Sequence, residues 1–132
     1  MNLDVVAAAR AWVGVPFQHQ GRTRKGVDCA GLLIVVAQDL GYPVIDVRDY
    51  GRQPDPTRMG HILGEQMDRI SISKAEYGDV LWLAWKRDPQ HLCIVTDLGV
   101  IHSYEAIGKV TEHPLDQRLR GRVRAAFSFR RA

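Results

Sequence analysis

The chain has 132 residues, of which 45% are hydrophobic and 25% charged, and its formal net charge at pH 7 is +3. This length and composition are typical of one globular domain, so we expect residues 1–132 to form a single domain. No aromatic residues interleave with the C-terminal arginines, which argues against a nucleic-acid-binding protein. No stretch approaches the roughly 20 apolar residues of a membrane-spanning helix, so we expect no membrane insertion.

The first half of the chain shows helical periodicity, interrupted by polar loops. The predicted segments are a helix over 3–13, a polar loop over 17–26, a helix over 29–40, a surface loop over 41–57 and a short amphipathic helix marked by residues 59, 62, 63 and 67. The second helix is apolar nearly all round, which predicts a central position in the fold.

From Asp79 onward the pattern changes to short β-rich runs. The predicted strands cover 80–83, 92–96, 100–104, 109–112 and 123–129. The turn signal Asp97–Leu98–Gly99 joins the second and third of these strands in a hairpin. Helices followed by antiparallel strands predict an α+β fold, with N-terminal helices packed on an antiparallel sheet of about five strands.

The start of the second helix is the first candidate for a catalytic site. Asp28 is suited to cap the helix, and Cys29 then lies in the first turn, where free amides and the helix dipole favour thiolate. With a nearby histidine, we expect the thiol pKa to be lowered, so that iodoacetamide labels Cys29 faster than a free thiol at slightly acidic pH. The Asp28 carboxylate would itself raise that pKa, so we expect it to face the Arg22–Arg24 segment or an amine of the substrate.

Two histidines on the predicted hairpin complete the candidate site. His91 is the candidate general base, because its ordinary pKa lies near neutrality. His102, on the neighbouring strand, is the candidate residue that orients the ring of His91. Ser103 is the alternative, although adjacent strand residues face opposite ways. His61 and His113 lie outside these elements and are expected to be structural or solvent-exposed.

Several short segments, in the same order along most of the chain, carry a resemblance to a known family. They are Trp12–His19, Val27–Leu32, Tyr77–Leu81, His91–Ile94, Ile101–Ser103 and Val110–Leu115. They resemble the NlpC/P60 cysteine peptidases, and most closely the short versions encoded in bacteriophage tail modules and gene transfer agents.

The resemblance implies a papain-like fold and a Cys–His–His thiol mechanism without a cofactor. It also implies a peptidoglycan substrate: an amide of the stem peptide, with the bond between D-glutamate and the diamino acid favoured. The implied partners are tail-tip proteins of a phage-like particle.

One departure from the family concerns the loop before the cysteine, where the family commonly has a PYxYGG-like stretch. The corresponding residues here are Pro16–Gly21, so that His19 replaces the second tyrosine and Gln20 the first glycine. The resemblance therefore makes His19 and Gln20 candidate donors to an oxyanion, together with the backbone N–H of Cys29.

Two alternatives from other functional classes remain open. Cys93 shares a strand face with His91 in a regular strand, so we expect it near Cys29, and Cys29, His91, Cys93 and His102 together have the ligand types of a zinc site. The other alternative is a catalytically weak or inactive structural or docking component of a phage tail. We do not expect a disulfide between the two cysteines, since it would consume the nucleophile.

Arginines at alternate positions over 118–124 form a basic stripe if that segment is a strand. Such a stripe is either a solvated face or a surface that attracts an anionic polymer. The N-terminal residues lack the features of a signal peptide. We therefore expect synthesis in the cytoplasm and action at the cell wall as part of a phage-like tail.

Overall fold

The computed structural model describes residues 1–85 and 88–131, without the side chains of residues 85 and 88–90. The helices are α1 (Leu3–Arg10), α2 (Cys29–Asp39), α3 (Pro56–Gln66) and α4 (Gln117–Arg120). The strands are β1 (Arg22–Thr23), β2 (Gly26–Val27), β3 (Met67–Ile70), β4 (Val80–Trp85), β5 (Asp88–Thr96), β6 (Gly99–Tyr104), β7 (Lys109–His113) and β8 (Val123–Phe129). None of the helices in this described part is long and apolar enough to cross a membrane.

The main sheet has six antiparallel strands in the order β3-β8-β4-β5-β6-β7, and β1 and β2 form a separate small hairpin. The predicted α+β fold is confirmed, and the sheet has one strand more than the five predicted. The additional strand is β3, because α3 ends at Gln66 and Met67 adopts an extended conformation. Met67 then pairs with Phe129 at the edge of the sheet.

The two faces of the sheet pack in separate clusters, as strand alternation requires. Leu92 and Ile94 of β5 lie in the cluster that also contains residues of α1, α2 and α3. Cys93, between them, lies in the second cluster with residues such as Leu81 and Val100. Helix α2 therefore covers one face of β5 only.

The position of α2 is fixed at its N-terminus. The side chain of Asp28 accepts a hydrogen bond from the backbone N–H of Gly31 at 2.7 Å, which satisfies one of the unpaired amides of the first turn. A side chain at Gly31 would meet the carbonyl oxygen of Gly21 at 2.2 Å. Only glycine therefore lets the start of the helix approach the loop before it this closely.

Some local expectations are wrong. α1 ends at Arg10 rather than at residue 13, and a turn follows. The loop over 17–26 contains the β1–β2 hairpin. Arg118 and Arg120 lie on α4 whereas Arg124 lies on β8, so these arginines do not form the alternating strand stripe.

Candidate active site

A cavity of about 860 Å³ lies beside the N-terminus of α2. Four of the six candidate site residues line it, namely His19, Asp28, Cys29 and His91, and so does the alternative residue Ser103. Apolar side chains of α2 and α3, among them Leu33 and Ile62, form other parts of its wall. A mostly apolar cavity of this size with a few convergent polar groups is typical of a substrate site.

Cys29 is the first residue of α2 and is half-buried. Backbone N–H groups of Cys29, Ala30 and Leu92 lie close enough to lower the pKa of its thiol. Burial, the largest effect, and the charge of Asp28 outweigh them and raise that pKa to about 12. The prediction of a lowered thiol pKa is therefore wrong, although the helix start acts in the expected direction. The contact with the backbone of Leu92 places the thiol beside β5, next to the residue that follows His91.

Asp28 is turned toward Arg22, as expected, and its carboxylate is fully hydrogen-bonded. One oxygen accepts from the N–H of Gly31 at 2.7 Å and from the guanidinium of Arg22 at 3.2 Å. The other accepts from the N–H of Gln20 at 2.8 Å and from the hydroxyl of Tyr50 at 2.6 Å. These donors account for the acceptor capacity of a carboxylate. The structure therefore favours the Arg22 expectation over a substrate amine.

Arg22 connects the β1–β2 hairpin to the long loop over 41–55. Its guanidinium donates to Asp46 at 2.9 Å, to the carbonyl of Val47 at 3.1 Å and to the Tyr50 hydroxyl at 2.9 Å. Only 4% of the Arg22 side chain is exposed. Tyr50 was not predicted from the sequence, because it lies in an irregular loop without periodicity. Burial and the neighbouring Asp28 raise the pKa of its hydroxyl.

The structure brings His91 and His102 together and adds His113. The Nε2 of His91 lies 2.5 Å from the Nδ1 of His102, and the Nε2 of His102 lies 2.6 Å from the Nε2 of His113. The Nδ1 of His113 in turn donates to the carbonyl of Pro114 at 2.9 Å. His113 lies on β7, outside the hairpin, as expected, but its contact with His102 was not expected. In the β6–β7 pairing His113 is opposite Val100, which makes it a diagonal neighbour of His102 on the same face.

The two buried histidines are held neutral. Burial is the larger cause that lowers the pKa of His91 to about 3 and that of His102 to about 4, and repulsion from neighbouring rings adds to it. Tyr104, a further residue that the sequence did not indicate, stacks on the ring of His102 with centroids 5.6 Å apart. It also meets the ring of His91 edge-on at 5.4 Å.

Ser103 points to the opposite face, as the alternation of strand residues predicts. Its hydroxyl donates to the carbonyl of Val27 at 2.6 Å. This bond ties β6 to the segment just before α2. The orienting partner of His91 is therefore His102 and not Ser103.

The two candidate oxyanion donors have different positions. His19 lines the cavity and packs edge-on against Tyr50, with ring centroids 5.7 Å apart. Gln20 has a positive φ of 60° and donates its side-chain amide to the carbonyl of Tyr50 at 2.7 Å. Gln20 thus shapes the loop, while His19 and the N–H groups near the thiol of Cys29 remain the candidate donors.

Cys93 does not face α2, contrary to expectation, because Leu92 and Ile94 occupy the helix-facing positions of β5. Its thiol still lies within electrostatic range of Cys29, which adds to the effect of burial in raising the Cys93 pKa. Within residues 1–85 and 88–131, no group of three or more His, Cys, Asp or Glu side chains is arranged to hold a metal ion. The zinc-site alternative therefore receives no support from the geometry.

The model of the NlpC/P60 family matches residues 14–123, and the chain belongs to this family. A probable endopeptidase NlpC from Escherichia coli K12 is 30% identical over 63 residues, which cover 48% of this chain and 36% of that protein. The alignment thus spans about a third of this curated relative's length.

Solved structures share the fold at low sequence identity. The NlpC/p60 domain of the peptidoglycan hydrolase SagA superposes with a TM-score of 0.70 at 22% identity, covering 98% of this chain and all of that one. RipD of Mycobacterium tuberculosis, described as a non-catalytic NlpC/p60 domain protein adapted to peptidoglycan binding, gives a TM-score of 0.63 at 14% identity, covering 97% of each chain.

Proposed function

We propose that this protein is a peptidoglycan hydrolase that cleaves an amide bond of the stem peptide through the thiol of Cys29. The observation that carries the proposal is the shared cavity of Cys29 and His91, with His91 hydrogen-bonded to His102. A thiol, a base and a group that orients the base are the parts that nucleophilic acyl transfer requires.

The raised pKa of Cys29 and the lowered pKa of His91 favour a neutral pair before the reaction. The sulfur then attacks the amide carbonyl carbon while the thiol proton passes to His91. The N–H groups of Cys29 and Ala30, with His19, are the proposed donors to the resulting oxyanion.

Collapse of the tetrahedral intermediate breaks the C–N bond and leaves a thioester on Cys29. His91 returns its proton to the departing amine in this step. Water, deprotonated by His91, then attacks the thioester carbonyl and releases the carboxylic acid and the thiol. No step needs a metal or a cofactor.

The finer parts of the proposal depend on the resemblance of the sequence motifs. They are cleavage between D-glutamate and the diamino acid, and a place in the tail tip of a phage-like particle that penetrates the cell wall. In that setting the protein is made in the cytoplasm and reaches the wall with the particle, where tail-tip proteins are its partners.

The test is digestion of purified sacculi, with the released fragments identified by mass spectrometry. The two free cysteines provide a matched pair of variants. Cys29→Ala is expected to lower the rate at least about a thousandfold, because it removes the nucleophile. Cys93→Ala, on the other face of the sheet, is expected to stay within about threefold of wild type. Equal release by wild type and Cys29→Ala would refute the proposal, and the fragment masses identify the bond.

A second candidate function is binding of peptidoglycan, or docking within a tail, without turnover. It is favoured by the raised pKa of the Cys29 thiol and by the likeness to a domain described as non-catalytic. Co-sedimentation with sacculi, unchanged by Cys29→Ala and without released fragments, would support this alternative.

A further inference from the structure

The rings of His91, His102 and His113 form a series of hydrogen bonds. This series ends on a group that can only accept a hydrogen bond. The carbonyl oxygen of Pro114 lies 2.9 Å from the Nδ1 of His113, so this nitrogen carries a proton. In a neutral imidazole only one nitrogen is protonated. The Nε2 of neutral His113 is therefore an acceptor.

The proton positions on His102 and His91 can then be deduced one ring at a time. The Nε2 of His102, 2.6 Å from the acceptor on His113, must donate, which leaves the Nδ1 of His102 as an acceptor. The Nε2 of His91, 2.5 Å from that acceptor, must then donate as well. Neutral His91 thus carries its proton on Nε2, and its Nδ1 is the nitrogen with a lone pair for the thiol proton.

We propose that His113 is a positioning residue that, with the carbonyl of Pro114, fixes the tautomers of His102 and His91 so that the Nδ1 of His91 is the base. The catalytic consequence rests on the function proposed above, whereas the tautomers do not. The opposite order of protons needs a donor at the Nε2 of His113. With Nδ1 held by Pro114, that donor exists only if the ring of His113 is a cation.

The His113–Pro114 segment, which carries the carbonyl that accepts from His113, lies close to Gly99 at the β5–β6 turn. Gly99 has φ of +139°, and a Cβ there would meet the carbonyl oxygen of His113 at 2.1 Å and the Cα of Pro114 at 2.6 Å. A glycine in this turn lets the end of β7 lie against the hairpin that bears His91 and His102. The hairpin and the His113–Pro114 segment therefore form one packed unit.

The test combines ¹⁵N-detected NMR of the histidine rings at pH 7.5 with steady-state kinetics. His113→Leu removes the acceptor, whereas His113→Gln restores one, because its side-chain oxygen reaches the place of Nε2. His61→Leu is the control, since the side chain of His61 is 78% exposed on α3.

In wild type and His113→Gln we expect His91 and His102 to be protonated on Nε2 only. In His113→Leu we expect mixed tautomers, with kcat lowered at least about tenfold and KM within twofold, because the base is in the wrong form for part of the time. His61→Leu should match wild type in both measurements.

A proton on the Nδ1 of His91 in the wild type would overturn the proposal, and so would unchanged tautomers in His113→Leu. The wild-type spectrum is informative even if a variant does not fold. If the protein releases no fragments from peptidoglycan, the proposed function fails, while the spectra still decide the role of His113.

Discussion

Replacing Arg22 with Met tests how the start of α2 is held in place. The substitution keeps an unbranched side chain but removes the guanidinium that contacts Asp28, Asp46 and Tyr50. The side chains of Arg22 and Asp28 are only 4% and 7% exposed, so water cannot replace the lost partner easily. We therefore expect a large loss of stability from this single change.

The loss of unfolding free energy in Arg22→Met depends on the hydrogen bonds that Asp28 keeps. Removing one member of a buried ion pair costs about 3–5 kcal/mol, because it leaves an uncompensated charge. Asp28 keeps hydrogen bonds from Gly31, Gln20 and Tyr50, which favours the lower end, about 3 kcal/mol. For a domain of this size, that corresponds to a fall in Tm of roughly 10 °C.

Arg48→Met is the matched control, since Arg48 also donates to Asp46, at 2.8 Å, but its side chain is 62% exposed. Exposed ion pairs contribute at most about 1 kcal/mol, so its Tm should fall by only a few degrees. Urea unfolding and calorimetry of both variants measure the difference. If Arg22→Met loses no more stability than Arg48→Met, the buried network does not hold the helix start.

Gly31→Ala should unfold the domain or lower its stability by several kcal/mol, because the new Cβ would meet a backbone oxygen at 2.2 Å. Gly64→Ala in α3, where nothing lies within 4 Å, should instead raise stability by about 1 kcal/mol, and denaturant unfolding distinguishes the two. The unfolding free energy should also fall as the pH drops from 7 to 5. In the unfolded chain, His91 and His102 bind protons near pH 6.5, whereas in the folded chain their lowered pKa values keep both rings neutral over this range. Each ring contributes up to about 2 kcal/mol at pH 5, so an unchanged urea midpoint there would contradict the lowered pKa values of these rings.

The sequence was sufficient for the parts of the site that depend on local structure. Asp28 and Cys29 mark the start of α2 through capping chemistry, and the Asp97–Gly99 turn predicts the hairpin that pairs β5 with β6. These signals depend on residues close together in the chain. The α+β fold follows from the same local patterns.

Other features depend on tertiary packing and could not be predicted. The contact of His113 with His102 requires the register of β6 and β7, which no single residue specifies. Tyr50 reaches Asp28 from an irregular loop. The raised pKa of Cys29 results from burial, whereas the sequence indicates only the opposing amides of the helix start.

The most direct test of the account is the rate at which iodoacetamide labels Cys29 at pH 7.5, in wild type and in His91→Gln. His91 is proposed to take the thiol proton as the sulfur attacks, so the loss of this base in His91→Gln should slow labelling at least about tenfold. Buried Cys93 should remain unlabelled in both and serves as the internal control. Equal labelling rates of Cys29 in the two proteins would contradict the claim that this thiol and this imidazole work together.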